Sequence, residues 1–133
     1  MHCASPSNDW AGSTLVLPSD SRVVLQSLRG VVVVPMPDPL GQDFLNELNE
    51  QLLQYLHRHT VKGVVLDMSS VELLDGGDFR NINRIWKTTT LMGSRMVLAG
   101  LKPGAAACLT MLNVDDSWAI PALSVEHAME KLR

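Results

Sequence analysis

Short apolar runs alternate along this chain with longer segments whose apolar residues recur at helical spacing. The runs lie at residues 31–34, 63–66 and 95–99. Residues 40–56 carry a large apolar side chain at every fourth position, and residues 79–86 form a second stripe of this kind. Such runs predict buried strands, and such stripes predict amphipathic helices. Their alternation predicts an α/β fold with a mostly parallel sheet, right-handed crossovers and helices packed on it.

The predicted order of elements is strand, strand, helix, strand, helix, strand, helix, strand, helix. The first helix is expected to begin at Asp38-Pro39, because an N-cap carboxylate followed by proline is a favourable helix start. Leu45 and Leu53 are expected to widen the apolar stripe of that helix. The last helix is expected to begin after Ser124, whose hydroxyl is a suitable N-cap.

The beginning of the chain differs in composition from the rest. Residues 1–21 are rich in Ser, Pro, Gly, Asn and Asp, so we expect a flexible N-terminal extension followed by one domain over 22–133. Residues 15–17 are a candidate for an additional edge strand. Of the two cysteines, Cys3 lies in the extension and Cys108 in an apolar run, where an interior reduced thiol is expected. A disulfide between them is the alternative.

Charge and hydropathy limit where this chain acts and what it binds. The formal net charge is −3, and lysines and arginines are not clustered in the sequence as nucleic-acid binding requires. No apolar stretch approaches the roughly 20 residues that cross a bilayer. The first 20 residues contain no Lys or Arg, which argues against a secretory signal. We therefore expect a cytoplasmic protein that binds neither membranes nor nucleic acids.

The densest group of functional side chains falls between a predicted central strand and the helix that follows it. Asp75 is placed to cap this helix, with Gly76 and Gly77 at its start and Asp78 in its first turn. The N–H groups at such a start bind anions, but no phosphate-binding glycine motif is present and two carboxylates would repel a phosphate. The expected role of both carboxylates is helix capping.

Other candidate sites in the sequence are incomplete. An acidic cluster is formed by Asp67, Glu72, Asp75 and Asp78. Its spacing does not match a calcium-binding loop, so no metal site is predicted. His57 and His59 point in different directions on a helix, which favours a capping or solvated role for them. Hydroxyls such as Ser69 have no evident base, so we predict neither an enzyme nor a cofactor.

Three segments together resemble a known family. They are Gly63 to Asp75, Leu91 to Pro103 and Ala105 to Asn113. The first joins a hydrophobic strand to Asp-x-Ser-x-Val and an acidic turn, and the second contains Met-Gly-x-x-x-Val-Leu-x-Gly-x-x-Pro. This combination resembles the STAS domain of anti-sigma-factor antagonists, most closely the stressosome scaffold members of the RsbS type, over residues 22–133. The resemblance implies a STAS fold, in which about four helices pack on a mixed, mostly parallel sheet of about five strands.

The resemblance also implies a function. It implies a non-enzymatic protein-interaction module of a bacterial partner-switching or stressosome-like signalling pathway. The partners it implies are a switch-protein kinase or an anti-sigma factor, other STAS scaffold proteins, and further copies of the same chain. The docking surface is expected on Asp75, Gly76, Gly77, Asp78 and Phe79. A domain that binds a small ligand or a nucleotide through the N–H groups of the same helix start is the alternative.

Two positions depart from the family pattern. In relatives, the aspartate at the position of Asp75 is followed by a phosphorylated Ser or Thr, where this chain has Gly76. Some scaffold relatives carry a further acceptor Thr at the position of Ala99. Because a phosphate adds about −1.5 to −2 charges to a surface, its loss would remove the usual control of docking. We expect no phosphorylation at either position, and another Ser or Thr as acceptor is the alternative.

Overall fold

A computed structural model describes residues 22–112 and 117–133. The elements within these ranges follow the predicted order. The strands are β1 (Gln26–Leu28), β2 (Val31–Pro35), β3 (Gly63–Asp67), β4 (Arg95–Ala99) and β5 (Ile120–Ala122). The helices are α1 (Gln42–Arg58), α2 (Gly76–Leu91), α3 (Pro103–Leu112) and α4 (Val125–Lys131). The predictions for the edge strand at 15–17 and for Cys3 lie outside the described residues.

The five strands form one mixed sheet in the order β1-β2-β3-β4-β5. β1 pairs with β2 in antiparallel fashion through a tight turn at Arg29 and Gly30, whose φ angles of 54° and 80° suit a two-residue hairpin. The other pairs are parallel, and Val31, Gly63 and Arg95 lie side by side at the start of three neighbouring strands. The predicted α/β fold with a mixed, mostly parallel sheet is confirmed.

Helices cover both faces of the sheet. Right-handed crossovers between strands in sequence order place α1, α2 and α3 on one face. Their apolar side chains, among them Leu48, Leu52 and Ile85, form the larger core with one face of the central strands. α4 lies on the other face and packs against β3, β4 and β5. β3 is therefore buried on both sides, as its uninterrupted apolar sequence predicts.

Gly63 shows how closely α4 approaches the sheet. A Cβ atom at this position would lie 2.6 Å from Cδ2 of Leu132 and 2.9 Å from the backbone oxygen of Arg95. Leu132 follows the last residue of α4 and is 5% exposed. The glycine at the start of β3 thus makes room for the leucine that fixes the end of α4 against the sheet.

Two predictions about α1 are wrong in detail. The helix begins at Gln42 after Gly41, whose φ of 74° is left-handed, and Asp38-Pro39 is a cis peptide upstream of it. The chain therefore turns before the helix starts, and Leu40 reaches the core from the loop. Leu45 is fully buried as predicted, but Leu53 is 46% exposed because it lies on the outer side of the helix.

The predicted cap of α4 is confirmed. The Oγ of Ser124 accepts a hydrogen bond from the backbone N–H of His127 at 3.1 Å. The Nδ1 of His127 in turn accepts from the backbone N–H of Leu123 at 3.0 Å. This reciprocal pair resembles a capping box in which an imidazole replaces the usual carboxylate. The sequence pattern alone excluded a capping box here, because position 127 is neither Glu nor Gln.

Candidate functional site

The turn between β3 and α2 is held by a reciprocal pair of hydrogen bonds. The backbone N–H of Asp78 donates to Oδ1 of Asp75 at 2.7 Å, and the backbone N–H of Asp75 donates to Oδ2 of Asp78 at 3.3 Å. This arrangement is a capping box, which satisfies N–H groups that a helix start leaves without an intrahelical partner. The predicted capping role of both carboxylates is confirmed, and their hydrogen bonds hold the backbone of the turn.

Gly76 and Gly77 form the first two positions of α2 and are half-buried. A Cβ at Gly76 would lie 3.5 Å from Nη1 of Arg80, and a Cβ at Gly77 would lie 3.8 Å from Nη2 of the same guanidinium. Because residues four apart share one face of a helix, Arg80 lies across the two glycines. The glycine pair therefore presents exposed backbone beside one cation.

Apolar side chains lie next to this turn. Leu73 precedes the cap and is 67% exposed. Gly104, at the start of α3, approaches so closely that a Cβ there would lie 2.8 Å from the backbone oxygen of Glu72 and 3.5 Å from Cδ2 of Leu73. Glu72 also forms an ion pair with Lys102. These contacts fasten the start of α3 to the β3–α2 loop, which carries the exposed Leu73 two positions before the cap.

Phe79 differs from the other residues expected to dock a partner. Its side chain is 6% exposed. Its ring centroid lies 5.5 Å from that of Trp118, which in turn lies 5.6 Å from that of Trp86. Because its ring is buried in an aromatic cluster, Phe79 is not available to a partner. It supports the turn from beneath instead. The helical stripe predicted this burial, whereas the sequence gave no sign of the contact with Trp118.

Ala99 is fully buried at the end of β4. It lies beside Asp67 of β3 and Ala122 of β5. The next residue, Gly100, has a φ of 69°, and a Cβ there would lie 3.3 Å from Cβ of Ser69. Gly76 and Ala99 thus occupy different environments, because Gly76 is half-buried and Ala99 is enclosed.

The electrostatics of the turn show the cost of placing two carboxylates together. Burial raises the pKa of the Asp78 carboxyl, and the charge of Asp75 raises it further. The hydrogen bond from the backbone N–H of Asp75 acts in the opposite direction and lowers this pKa. The ionised form of Asp78 is therefore disfavoured in the fold relative to an exposed aspartate.

Within 22–112 and 117–133, no three His, Cys, Asp or Glu side chains are arranged to hold a metal ion. Asp67 accepts a hydrogen bond from the backbone N–H of Ser69 at 3.1 Å, so this carboxylate shapes its own turn and does not join the capping box. Cys108 is a partly buried free thiol on α3. None of the described helices is long and apolar enough to span a membrane.

Comparison with known proteins identifies the family of this chain. The family model of the STAS domain matches residues 22–128. The protein is 21% identical over 110 residues to the RsbT co-antagonist protein RsbRA of Bacillus subtilis, which covers 83% of this chain. The chain spans 40% of the length of that relative.

Solved structures agree with the family match. A Ser-to-Glu variant of RsbS from Moorella thermoacetica is 30% identical and superposes with a TM-score of 0.73, covering 84% of this chain and 95% of its own. A chain from a structure of the stressosome, described as a signal integration and transduction hub, is 28% identical with a TM-score of 0.71. That match covers 81% of this chain and 94% of the stressosome chain.

Proposed function

The chain belongs to the STAS domain family, and from that premise we propose that it is a non-enzymatic regulatory module that docks partner proteins through the β3–α2 turn. The partner-switching and stressosome character of its relatives supports the regulatory role. We further propose that it acts in the cytoplasm, and that its partners are a switch-protein kinase or an anti-sigma factor together with other STAS scaffold proteins.

One observation carries this proposal: a capping box holds the turn, and its two half-buried glycines leave backbone without a Cβ beside Arg80. The capping box fixes the backbone of Asp75 before any partner arrives. At Gly76 and Gly77 a partner's backbone can approach closely, because no Cβ stands in the way. Leu73 lies two positions before the cap and has two thirds of its surface exposed, which offers an apolar contact on the same loop. A fixed surface of this kind loses little conformational entropy when a partner binds.

We also propose that docking here is not controlled by phosphorylation of the turn. The resemblance to the family implies acceptor hydroxyls at the positions of Gly76 and of the buried Ala99, and neither residue has one. Without an added phosphate, occupancy of the surface would depend on the concentration of the partner and on competition for the turn.

A small-ligand or nucleotide-binding function at the same helix start is the second candidate. The guanidinium of Arg80 beside the N–H groups of α2 favours an anion. The carboxylates of Asp75 and Asp78 flank the same space and oppose an anion. Titration calorimetry with ATP and GTP separates the candidates, because only the second gives saturable binding to the isolated protein.

Capture from a lysate of the source organism tests the docking surface. We expect the immobilised wild-type protein to retain a switch-protein kinase or an anti-sigma factor, identified by mass spectrometry and then titrated as a purified protein. Gly77→Tyr places a ring over the glycine pair and is expected to weaken that binding at least tenfold. Glu50→Tyr, at an exposed position of α1, is the matched control and should bind as wild type does. Equal binding by the two variants would place the docking surface elsewhere.

A further inference from the structure

Basic residues that are far apart in sequence meet at the amino-terminal edge of the parallel strands. Arg29 lies in the turn before β2, Lys62 precedes β3, and Arg95 begins β4. The strand register pairs Val31 with Gly63 and Gly63 with Arg95, so Lys62 lies one position and Arg29 two positions before the level of Arg95. The backbone N–H of Lys62 also donates to the oxygen of Gly30 at 2.8 Å. Neighbouring strands are about 4.8 Å apart, so these cations form one staggered row along this edge.

The end of α4 adds two further cations to this row. Nη1 of Arg95 donates to the backbone oxygen of Lys131 at 3.3 Å. Arg133 lines an open cavity of about 410 Å³ together with Arg29 and Lys62. Among the described residues, no carboxylate lies within ion-pair distance of any of these five side chains. We call the five, Arg29, Lys62, Arg95, Lys131 and Arg133, the cationic edge.

The opposite edge of the sheet carries the reverse charge. Asp38 follows β2, Asp67 ends β3, and the β3–α2 turn contributes the others. We call this group the acidic edge; its members are Asp38, Asp67, Glu72, Asp75 and Asp78. Two cations lie among them, Lys102 paired with Glu72 and Arg80 across the glycines. The acidic edge includes the docking turn.

Helix dipoles explain part of this pattern but not all of it. Carboxylates near the start of α2 and a cation at Arg58, the last residue of α1, are the usual complement of a helix dipole. Arg95 and Lys131 also lie at a helix end, because Nη1 of Arg95 donates to the last backbone oxygen of α4. Arg29 and Lys62 stand before the starts of β2 and β3, and strand starts carry only small net dipoles. The cationic edge therefore holds more positive charge than helix dipoles explain, with five cations against the carboxylates of Glu126 and Glu130 that line its cavity.

We propose that the cationic edge of one molecule docks on the acidic edge of a second copy, in a head-to-tail contact. The two edges of one chain cannot meet, because the strands and loops between them separate them by about 15 Å or more. Four parallel strands with a helix layer present an edge of about 20 by 25 Å, or about 500 Å² per copy, which is the size of a weak interface. A head-to-tail contact of this kind builds filaments or rings.

This proposal depends on the proposed function only in using the same docking turn. It follows that a second copy and a switch protein compete for the acidic edge. The cavity itself is a poor candidate for a small anion, because Glu126 and Glu130 line it beside the arginines. Binding of a nucleic acid at the cationic edge is the rival outcome.

Charge reversal at each edge tests the contact. One variant carries Lys62→Glu and Arg95→Glu, and a second carries Asp38→Lys and Glu72→Lys. All four side chains are exposed, so both variants should fold, which circular dichroism verifies. Glu50→Lys, at an exposed position on the side of α1, is the control. Sedimentation velocity measures self-association at up to about 0.5 mM protein, in the range where weak contacts form.

We expect the wild type and the Glu50→Lys control to associate, with an association constant that falls at least tenfold between about 50 and 500 mM salt, as the Debye length shortens. Each charge-reversed variant alone should remain monomeric. An equimolar mixture of the two should associate again, because the unchanged edges of the two variants form the native contact and their reversed edges form the same contact with opposite sign. The proposal would be overturned if the wild type were monomeric or if its association did not change with salt concentration. It would also be overturned if the mixture of the two variants did not associate. Duplex DNA shifted by a monomeric wild type would assign the edge to nucleic acid. Switch-protein capture is a separate readout, so its failure leaves this result intact.

Discussion

Replacing Gly76 by serine tests whether a single missing hydroxyl separates this chain from a switchable relative. A Cβ at this position would lie 3.5 Å from Nη1 of Arg80 and 3.9 Å from Cδ2 of Leu112, which are ordinary contact distances. The φ of Gly76 is not among the positive values, so serine meets no backbone strain. We expect the free energy of unfolding of the variant to equal that of the wild type or to exceed it by up to about 1 kcal/mol. The gain arises because replacing a glycine restricts the unfolded chain.

A phosphate on that serine would change the surface more than the fold. It would carry about −2 charges, and at about 6 Å in water two carboxylates would repel it by about 2 to 3 kcal/mol in all. Asp75 and Asp78 supply that repulsion. The guanidinium of Arg80, at about 4 Å, would attract the phosphate by about 2 kcal/mol, and the N–H groups of the helix start would add to this attraction. The opposing effects cancel to within about 1 kcal/mol.

The assay is intact-mass analysis after incubation with the captured switch-protein kinase and ATP. We expect no added phosphate on the wild type and one on Gly76→Ser. Ala107→Ser, which places a serine at an exposed position of α3, should gain none. Destabilisation of Gly76→Ser by more than about 1.5 kcal/mol would refute the packing argument. A stoichiometric phosphate on the wild type, mapped to Ser69, Ser70 or residues 88–90, would show that the switch has moved.

The remaining predictions concern the fold and the capping box, each measured by urea unfolding. Leu48→Ala should cost about 2–5 kcal/mol because the side chain is fully buried, whereas Leu53→Ala on the same helix should stay within about 0.5 kcal/mol. Gly63→Ala should cost about 1–3 kcal/mol by overpacking, and less when Leu132→Ala removes the nearest atoms. Because the folded pKa of Asp78 is raised, its contribution to stability is complete below the unfolded pKa of about 3.9 and is lost as pH rises through the folded pKa. The wild type should therefore gain stability relative to Asp78→Asn as pH falls from 7 to about 3, and a difference that does not vary with pH would contradict this.

Local features of the site could be predicted because they depend on residues close together in sequence. The capping box joins Asp75 to Asp78, three positions away, and the cap at Ser124 acts over the same distance. Helical spacing likewise predicts the burial of Phe79 and the apolar side of α1. The predicted start of α1 was wrong, although the residues that decide it are also close together in the sequence. Asp38-Pro39 has the composition of a helix start, but Gly41 is the residue whose left-handed backbone turns the chain into the helix.

Features that depend on the sheet register could not be predicted from spacing. Lys62 and Arg95 are 33 positions apart in the sequence, yet they lie on neighbouring strands because Gly63 pairs with Arg95. Counting charges along the chain therefore gave no basic cluster, and the fold makes one. The close approach of Gly104 to the backbone oxygen of Glu72 could not be predicted for the same reason. It brings together α3 and the β3–α2 loop, which belong to two different crossover connections. The pairing of strands in the sheet makes these residues neighbours, and the periodicity of a single segment does not reveal that pairing.

The two proposals together suggest how a docking surface without a phosphate switch is regulated. The turn is held by the capping box above and by the ring of Phe79 below, so a partner meets a preformed surface. Neither partner binding nor self-association then needs a conformational change in this chain, and at a given salt concentration each is set by the concentrations of the proteins. Because both would use the acidic edge, a rise in the concentration of this protein favours contacts between copies, and a rise in the switch protein breaks them. Competition of this kind predicts that the purified switch protein dissociates wild-type assemblies at low salt, to an extent that rises with its concentration.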